Sequence, residues 1–172
     1  VELRKPPARE LPKKDWALRG KGDGEPHRIY NLNLDAAGLE QENIRLFEKY
    51  KVIEEKEPQH EDYRMEDAEY AFVSYGTASR IVRTAVNALR DEGYRVGMIR
   101  PKTLWPFPEK AFERTGIRKY MDVELSMGQM IDDVRLACND KNKVVFFGHT
   151  GGVLINVGEL LEFGRNVMGG GR

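Results

Sequence analysis

Three apolar runs, each ending in a turn that opens a helix, predict an α/β fold with an open, mostly parallel sheet and helices on both faces. An extended arm and a helix precede it. The runs are Tyr70–Tyr75 into Gly76-Thr77-Ala78-Ser79, Val96–Ile99 into the Trp105-Pro106-Phe107-Pro108 corner, and Val144–Phe147 into Gly148-His149-Thr150-Gly151-Gly152. A fourth signal, Val123–Met130, sits between the second and third. Strands that alternate with helices imply parallel pairing through right-handed crossovers, with the turns gathered on one edge. The predicted organisation is an arm over 1–35, a helix and acidic connector over 36–69, and an α/β domain over 70–172.

In the arm, Pro6-Pro7, Pro12 and the Gly20–Gly24 stretch interrupt any regular element, and the apolar residues follow no period. Trp16, Leu18, Ile29, Tyr30, Leu32 and Leu34 are its candidate anchors. Over 36–57, Leu39, Leu46, Phe47, Tyr50 and Ile53 recur at helical spacing, with charged residues on the other face, until Pro58 ends the helix. Glu57–Glu69 is acidic and reads as a solvated connector.

Ala71-Phe72-Val73 is continuously apolar, as strands buried on both faces are. Gly76 ends it, Thr77 is placed to cap the next helix, and Ile81, Val82, Ala85, Val86 and Leu89 mark that helix's buried stripe. Gly93 terminates the helix. Arg95–Arg100 is the second strand, stopped by Pro101, and Pro108 is suited to the first position of a helix through Phe112. Ser126 and Gln129 have capping-box spacing, which starts a helix over Gln129–Cys138 with Met130, Ile131, Val134, Leu136 and Ala137 inward. Lys143–Phe147 is another buried strand, and Val157–Phe163 a last helix.

Composition narrows the function. The 172 residues carry 28 basic and 28 acidic side chains, and this balance argues against nucleic-acid or anionic-membrane surfaces. The single cysteine, Cys138, builds neither a disulfide nor an iron–sulfur cluster within the chain and reads as a buried, inert thiol. That cysteine usage leads us to expect a reducing cytoplasm; no apolar stretch reaches the roughly 20 residues of a membrane span, and the polar start does not read as a signal peptide. A start at Val1 suggests a processed or excised fragment.

Gly22-Asp23-Gly24 imitates a diphosphate-binding motif, but no buried strand precedes it, and Asn31 and Asn33 follow too closely. It reads as a loop. Gly76, Thr77 and Ser79 stand at a strand–helix junction that either caps the helix or binds an anion, since helix N-termini present free N–H groups. No G-x-G-x-x-G or P-loop lysine accompanies them. His149, with Gly151 and Gly152, lies at a strand's C-terminal end without the partners of a metal site, as a hydrogen-bonded turn or a functional histidine. His27 and His60 fall in polar segments without a signal. Trp105 and Phe107 form a rigid apolar corner that either turns the chain or meets another domain or subunit.

Together these segments resemble the C-terminal part of the alpha subunit of 2-oxoacid:ferredoxin oxidoreductases. The resemblance rests on Ser74–Arg80, Gly97–Pro108 with its Leu-Trp-Pro-Phe-Pro block, Glu124–Met130 with Ser126, Gly128 and Gln129, Val134–Ala137, and Gly148–Gly152. It covers about residues 68–163. The Ser-Met-Gly-Gln form is similar to the 2-oxoisovalerate (2-ketoisovalerate) branch. The resemblance implies a transketolase C-terminal-like domain of an enzyme that oxidatively decarboxylates a 2-oxoacid with coenzyme A and passes electrons to ferredoxin.

Thiamine diphosphate, magnesium and the iron–sulfur clusters would then belong to other domains or subunits, with none bound by this fragment. A pyrimidine-binding domain would precede residue 1. The polar run Ile117–Val123 departs from the family's more apolar central strand and leaves the third strand's length and pairing open. The expected role is architectural: holding the assembly together and shaping the mouth of the active site, with no catalytic residue here. A free-standing small-anion or nucleotide-binding module, using the turns at 76–79 and 149–152, is the alternative. A pure interaction domain is a third reading.

Overall fold

The computed structural model describes residues 8, 10–18, 20, 22, 32–138 and 140–169. Pro6, Pro7, Asp23, Gly24, His27, Ile29, Tyr30 and Asn31 lie outside the described residues. The chain divides into two units, 1–44 and 45–172. In the first, Trp16, Leu18, Leu32 and Leu34 are exposed. Asp35 caps the helix that follows, its carboxylate accepting from the Gly38 N–H at 2.6 Å.

That helix, α1, spans Ala36–Lys56 and buries no residue. The apolar face read from the spacing lies largely open: Leu39, Phe47 and Tyr50 are exposed, and Leu46 and Ile53 are half-buried. Periodicity marks which face is apolar, but it does not supply a partner for that face.

The second unit holds a five-stranded sheet of order β1-β3-β2-β4-β5. Its strands are β1 (His60–Tyr63), β2 (Tyr70–Val73), β3 (Val96–Pro101), β4 (Lys119–Glu124) and β5 (Val144–Gly148). All neighbours pair in parallel except β1, which lies antiparallel to β3 with His60 opposite Pro101. The expected connector over 57–69 thus contains an edge strand. Its polar composition hid it, and polar side chains are what an edge strand needs to discourage further pairing. Glu61 pairs there with Arg83 at 3.2 Å and Arg100 at 3.3 Å.

Alternation along each strand separates two cores. Phe72, Val96, Met98, Met121 and Val123 face α2 (Gly76–Asp91) and α4 (Val157–Gly169). Ala71, Val73, Ile99, Tyr120 and Val144 face α3 (Met130–Ala137) and the 3₁₀ helix Glu109–Phe112. Gly93, at φ +92°, closes α2 as expected. Its N–H donates to Arg90 O and that of Tyr94 to Leu89 O, the paired bonds of a left-handed helix cap.

Four smaller expectations change. Pro108 caps the 3₁₀ helix from just outside it, at N-cap. Leu136 is exposed on α3, so the buried stripe there is Met130, Ile131 and Val134. β5 is a half-buried edge strand, not a buried one. The polar run at 117–124 contains β4, an inner strand paired with β2 on one side and β5 on the other.

Candidate functional site

The turns after β2, β3, β4 and β5 do share the carboxyl edge of the parallel strands. After β2 the chain passes to α2 on one face; after the neighbouring β4 it passes to α3 on the other. Such a divergence opens a crevice between adjacent strand ends, where α/β proteins place their sites. Ser74, Tyr75 and Gly76 approach it from β2, and Glu124 and Ser126 from β4. Ser74 Oγ donates to Val123 O at 2.8 Å and joins the two sides.

At the β2 junction, Thr77 is exposed and does not cap the helix. α2 begins at Gly76, Tyr75 occupies the cap position, and it makes no side-chain capping bond. Gly76 adopts φ +58°, a conformation that favours glycine, and Ser79 Oγ is spent on Gly76 O at 2.7 Å.

At the β4 junction the expected Ser126–Gln129 capping box is replaced by a different cap. Glu124, 1% exposed, accepts from the backbone N–H groups of Gln129 (3.1 Å), Met130 (3.1 Å) and Ile131 (3.0 Å). Ser126 Oγ donates to the same carboxylate at 3.0 Å and accepts from Gly128 N–H at 3.1 Å. One buried side chain therefore satisfies three donors at the start of α3 and fixes the turn that leads into it. Gly128, at φ +97°, supplies the left-handed residue this turn requires.

Asp122, two residues earlier on the same face of β4, is fully buried, and neither carboxyl oxygen has a hydrogen-bonding partner. Burial first, and then Glu124, push it up to about 9, against a small opposing influence of Arg135. Glu124 is itself held below the ordinary range: burial works against the charge, but Asp122 and the three N–H groups outweigh it. Burial, Glu124 and Asp122 raise the Tyr75 phenol. These two acids are what sequence reasoning missed. The available signal was the alternation Tyr120-Met121-Asp122-Val123-Glu124, which puts both carboxyls on one face of a strand otherwise apolar at its centre.

A pH dependence follows. Folding takes up a proton on Asp122 at neutral pH, because the folded group binds it and the unfolded group, near 3.9, does not. Stability should fall as pH rises between about 4 and about 9, by at most about 1.4 kcal/mol per pH unit, the limit for one proton. Glu124 acts oppositely, its contribution being present above its unfolded value and lost as pH falls through its lowered folded value. Urea unfolding from pH 5 to 9 should show the slope in the wild type and its disappearance in Asp122→Asn.

His149 has a structural partner. Its Nε2 lies 3.3 Å from Glu159 Oε1, and Glu159 forms a reciprocal capping box with Asn156 at 3.0 Å in both directions. Gly151 and Gly152, at φ +66° and +87°, complete that exposed turn. The Trp105–Pro108 corner divides its roles: Phe107 stacks on Phe112 at 5.4 Å, while Trp105 meets Tyr50 edge-on at 5.6 Å and remains 56% exposed. A separate groove of about 380 Å³ is lined by Glu54, Lys56, His60, Phe107, Glu109 and Lys110 among others, with both signs of charge.

The described residues do not fit a magnesium diphosphate or an iron–sulfur cluster. Cys138 is buried with its thiol pushed up to about 11, and no group of three or more His, Cys, Asp or Glu side chains among them is placed to hold a metal ion. No helix among them is long and apolar enough to cross a membrane.

Comparison with known proteins places this geometry. The chain is 40% identical over 162 residues to the ketoisovalerate oxidoreductase subunit VorB of Methanothermobacter thermautotrophicus, an alignment covering 92% of this chain and 45% of that protein. It is 37% identical over 94 residues to the 2-oxoglutarate synthase subunit KorA of Methanocaldococcus jannaschii, covering 55% and 26%. The chain thus spans less than half the length of these relatives. Its fold superposes on a 2-oxoglutarate:ferredoxin oxidoreductase from Magnetococcus marinus, solved with 2-oxoglutarate, coenzyme A and succinyl-CoA bound, at a TM-score of 0.66 and 22% identity over 83% of this chain and 25% of that one. Residues 68–160, more than half of the chain, match the pyruvate:ferredoxin oxidoreductase core domain II. The chain belongs to that family.

Proposed function

We propose that this chain is the assembly domain of a 2-oxoacid:ferredoxin oxidoreductase subunit, with 2-oxoisovalerate as the substrate of the whole enzyme. The observation that carries the reading is the carboxyl edge of the sheet. Segments 70–79, 103–108, 125–131 and 144–158 contain no Asp, Glu, Lys or Arg, in a chain where 33% of residues are charged. On that edge Leu104, Trp105, Leu125, Met127, Val153 and Leu154 are exposed, Met127 by 79%. Depletion of charge with aromatic and methionine enrichment is the composition of an interface core.

The complete enzyme, a cytoplasmic assembly, would decarboxylate the 2-oxoacid oxidatively, transfer the acyl group to coenzyme A and reduce ferredoxin. Thiamine diphosphate, magnesium and the iron–sulfur clusters would be held by its other domains and subunits. The domain boundaries at 35 and 69 belong to the same proposal, as do Gly76, Ser126, Gly128, Gln129, His149, Gly151 and Gly152 as parts of the assembly edge.

Co-expression with the remaining parts of a ketoisovalerate oxidoreductase tests this. The chain is expected to co-purify with them, and Trp105→Ser with Met127→Asp to reduce capture at least about tenfold, the loss of roughly 1.4 kcal/mol. Reduction of a viologen dye by the chain alone, given 2-oxoisovalerate and coenzyme A, would overturn the architectural role. Saturable micromolar binding of phosphate or nucleotides by the chain alone, without capture, would favour an anion-binding module.

A further inference from the structure

We propose that Asp122 and Glu124 share one proton across the buried face of β4, and that this proton latches the Leu125–Gln129 turn. The role of that turn at the assembly edge rests on the function proposed above.

Glu124 faces only donors. Its Oε1 accepts from Gln129 and Ile131 N–H, and its Oε2 from Gln129 and Met130 N–H and from Ser126 Oγ. Protonating it would set an O–H against one of these N–H groups, so the latch requires the carboxylate. Asp122 faces no donor at all. A second carboxylate there would be an uncompensated buried charge beside the first, which costs several kcal/mol. Glu124 stands two residues along the same buried face of β4, and as a hydrogen-bonding and charged neighbour it raises Asp122 while being lowered itself. With the proton on Asp122 that contact becomes a charge-assisted bond in which Asp122 O–H donates to the Glu124 carboxylate.

Among the described residues the surroundings offer little other compensation. The groups whose charges act on the pair, or feel it, are the Tyr75 phenol from the β2–α2 junction and Asp133 and Arg135 from α3. Arg135 is drawn to Asp132, at 3.2 Å. The β4 register partners are Val73 on one side and Phe146 and Gly148 on the other, none of them ionisable. When a base in solvent removes the Asp122 proton, two like charges remain on one buried face. Repulsion is then relieved by withdrawing Glu124 from the α3 N–H groups, which releases the turn.

Carboxyl ¹³C and amide ¹⁵N NMR of the 172-residue chain across pH 5 to 10 tests the shared proton. One aspartate carboxyl, absent in Asp122→Asn, is expected to be protonated at pH 7 and to titrate several units above the ordinary value near 3.9. The Gln129, Met130 and Ile131 amides should move with the same midpoint in the wild type and stay still over that range in Asp122→Asn. Glu124→Gln, which removes the neighbouring charge and acceptor, should lower the midpoint. An ionised Asp122 at pH 7, or amides that do not follow its titration, overturns the inference even if Asp122→Asn fails to fold, because both readouts exist in the wild type. Capture of partner subunits is a separate measurement: its failure with the coupled titration intact sinks only the assembly reading.

Discussion

Glu124→Ala is expected to destabilise the chain by about 3–5 kcal/mol, the order expected when several buried donors lose one shared acceptor. The loss has three parts that point the same way. The N–H groups of Gln129, Met130 and Ile131 lose their acceptor at a helix start that is already partly buried, and Ser126 Oγ loses its own. Each unsatisfied donor costs about 1–3 kcal/mol where water does not replace the partner. Asp122 meanwhile loses the carboxylate to which it can donate. In urea the midpoint should fall at an unchanged slope, and Glu124→Gln, which keeps the size and one acceptor oxygen, should lose less. A cost below about 1 kcal/mol would mean that water caps α3 when Glu124 is gone.

This cap also shows where the sequence was legible and where it was not. The order of elements was readable because Ala71-Phe72-Val73 and Val96–Ile99 are apolar runs ended by turn residues, and because α2 carries a clear buried stripe. The carboxyl-edge turns were readable for the same reason. β1 was hidden, since an edge strand of His, Glu, Asp and Tyr has no apolar pattern to declare it. β4 was obscured by its two acids, whose meaning depends on the N-terminus of α3 standing directly beyond the strand end.

Ser126 and Gln129 have the spacing of a capping box, yet the physical cap comes from five residues before Gln129. Spacing rules assume that the nearest polar side chain wins, and here a buried strand residue outcompetes it. At His149 the opposite holds. The turn histidine was visible, but its partner Glu159 lies ten residues on, across a turn whose geometry local spacing does not specify.

Glu124 also explains why the Ser-Met-Gly-Gln segment is shaped as it is. Ser126 faces inward to the carboxylate, Met127 faces out, and Gly128 turns the chain so that the next three N–H groups converge on one side chain. An apolar exposed residue is thereby presented by a turn anchored from beneath, the arrangement an interface needs if it is to be formed before its partner arrives.

Burying two acids on one face requires stability from elsewhere, and Phe72→Ala should expose its source. Phe72 is fully buried on the opposite face of the sheet, flanked by Met98 on β3 and Met121 on β4. α4 approaches closely there: a methyl group added at Gly164 would sit 3.4 Å from the Phe72 ring and 2.9 Å from Leu89. Truncation to alanine removes the ring between the sheet and that helix, and the expected cost is about 3–5 kcal/mol, with a lowered urea midpoint. The surrounding strand ladder is paired on both sides and limits how far the site can collapse. Because the acids face the other way, the Asp122 titration midpoint should not move in Phe72→Ala. A shifted midpoint would show that the two faces are coupled through β4, and that the apolar face sets the environment of the acids as well as offsetting their cost.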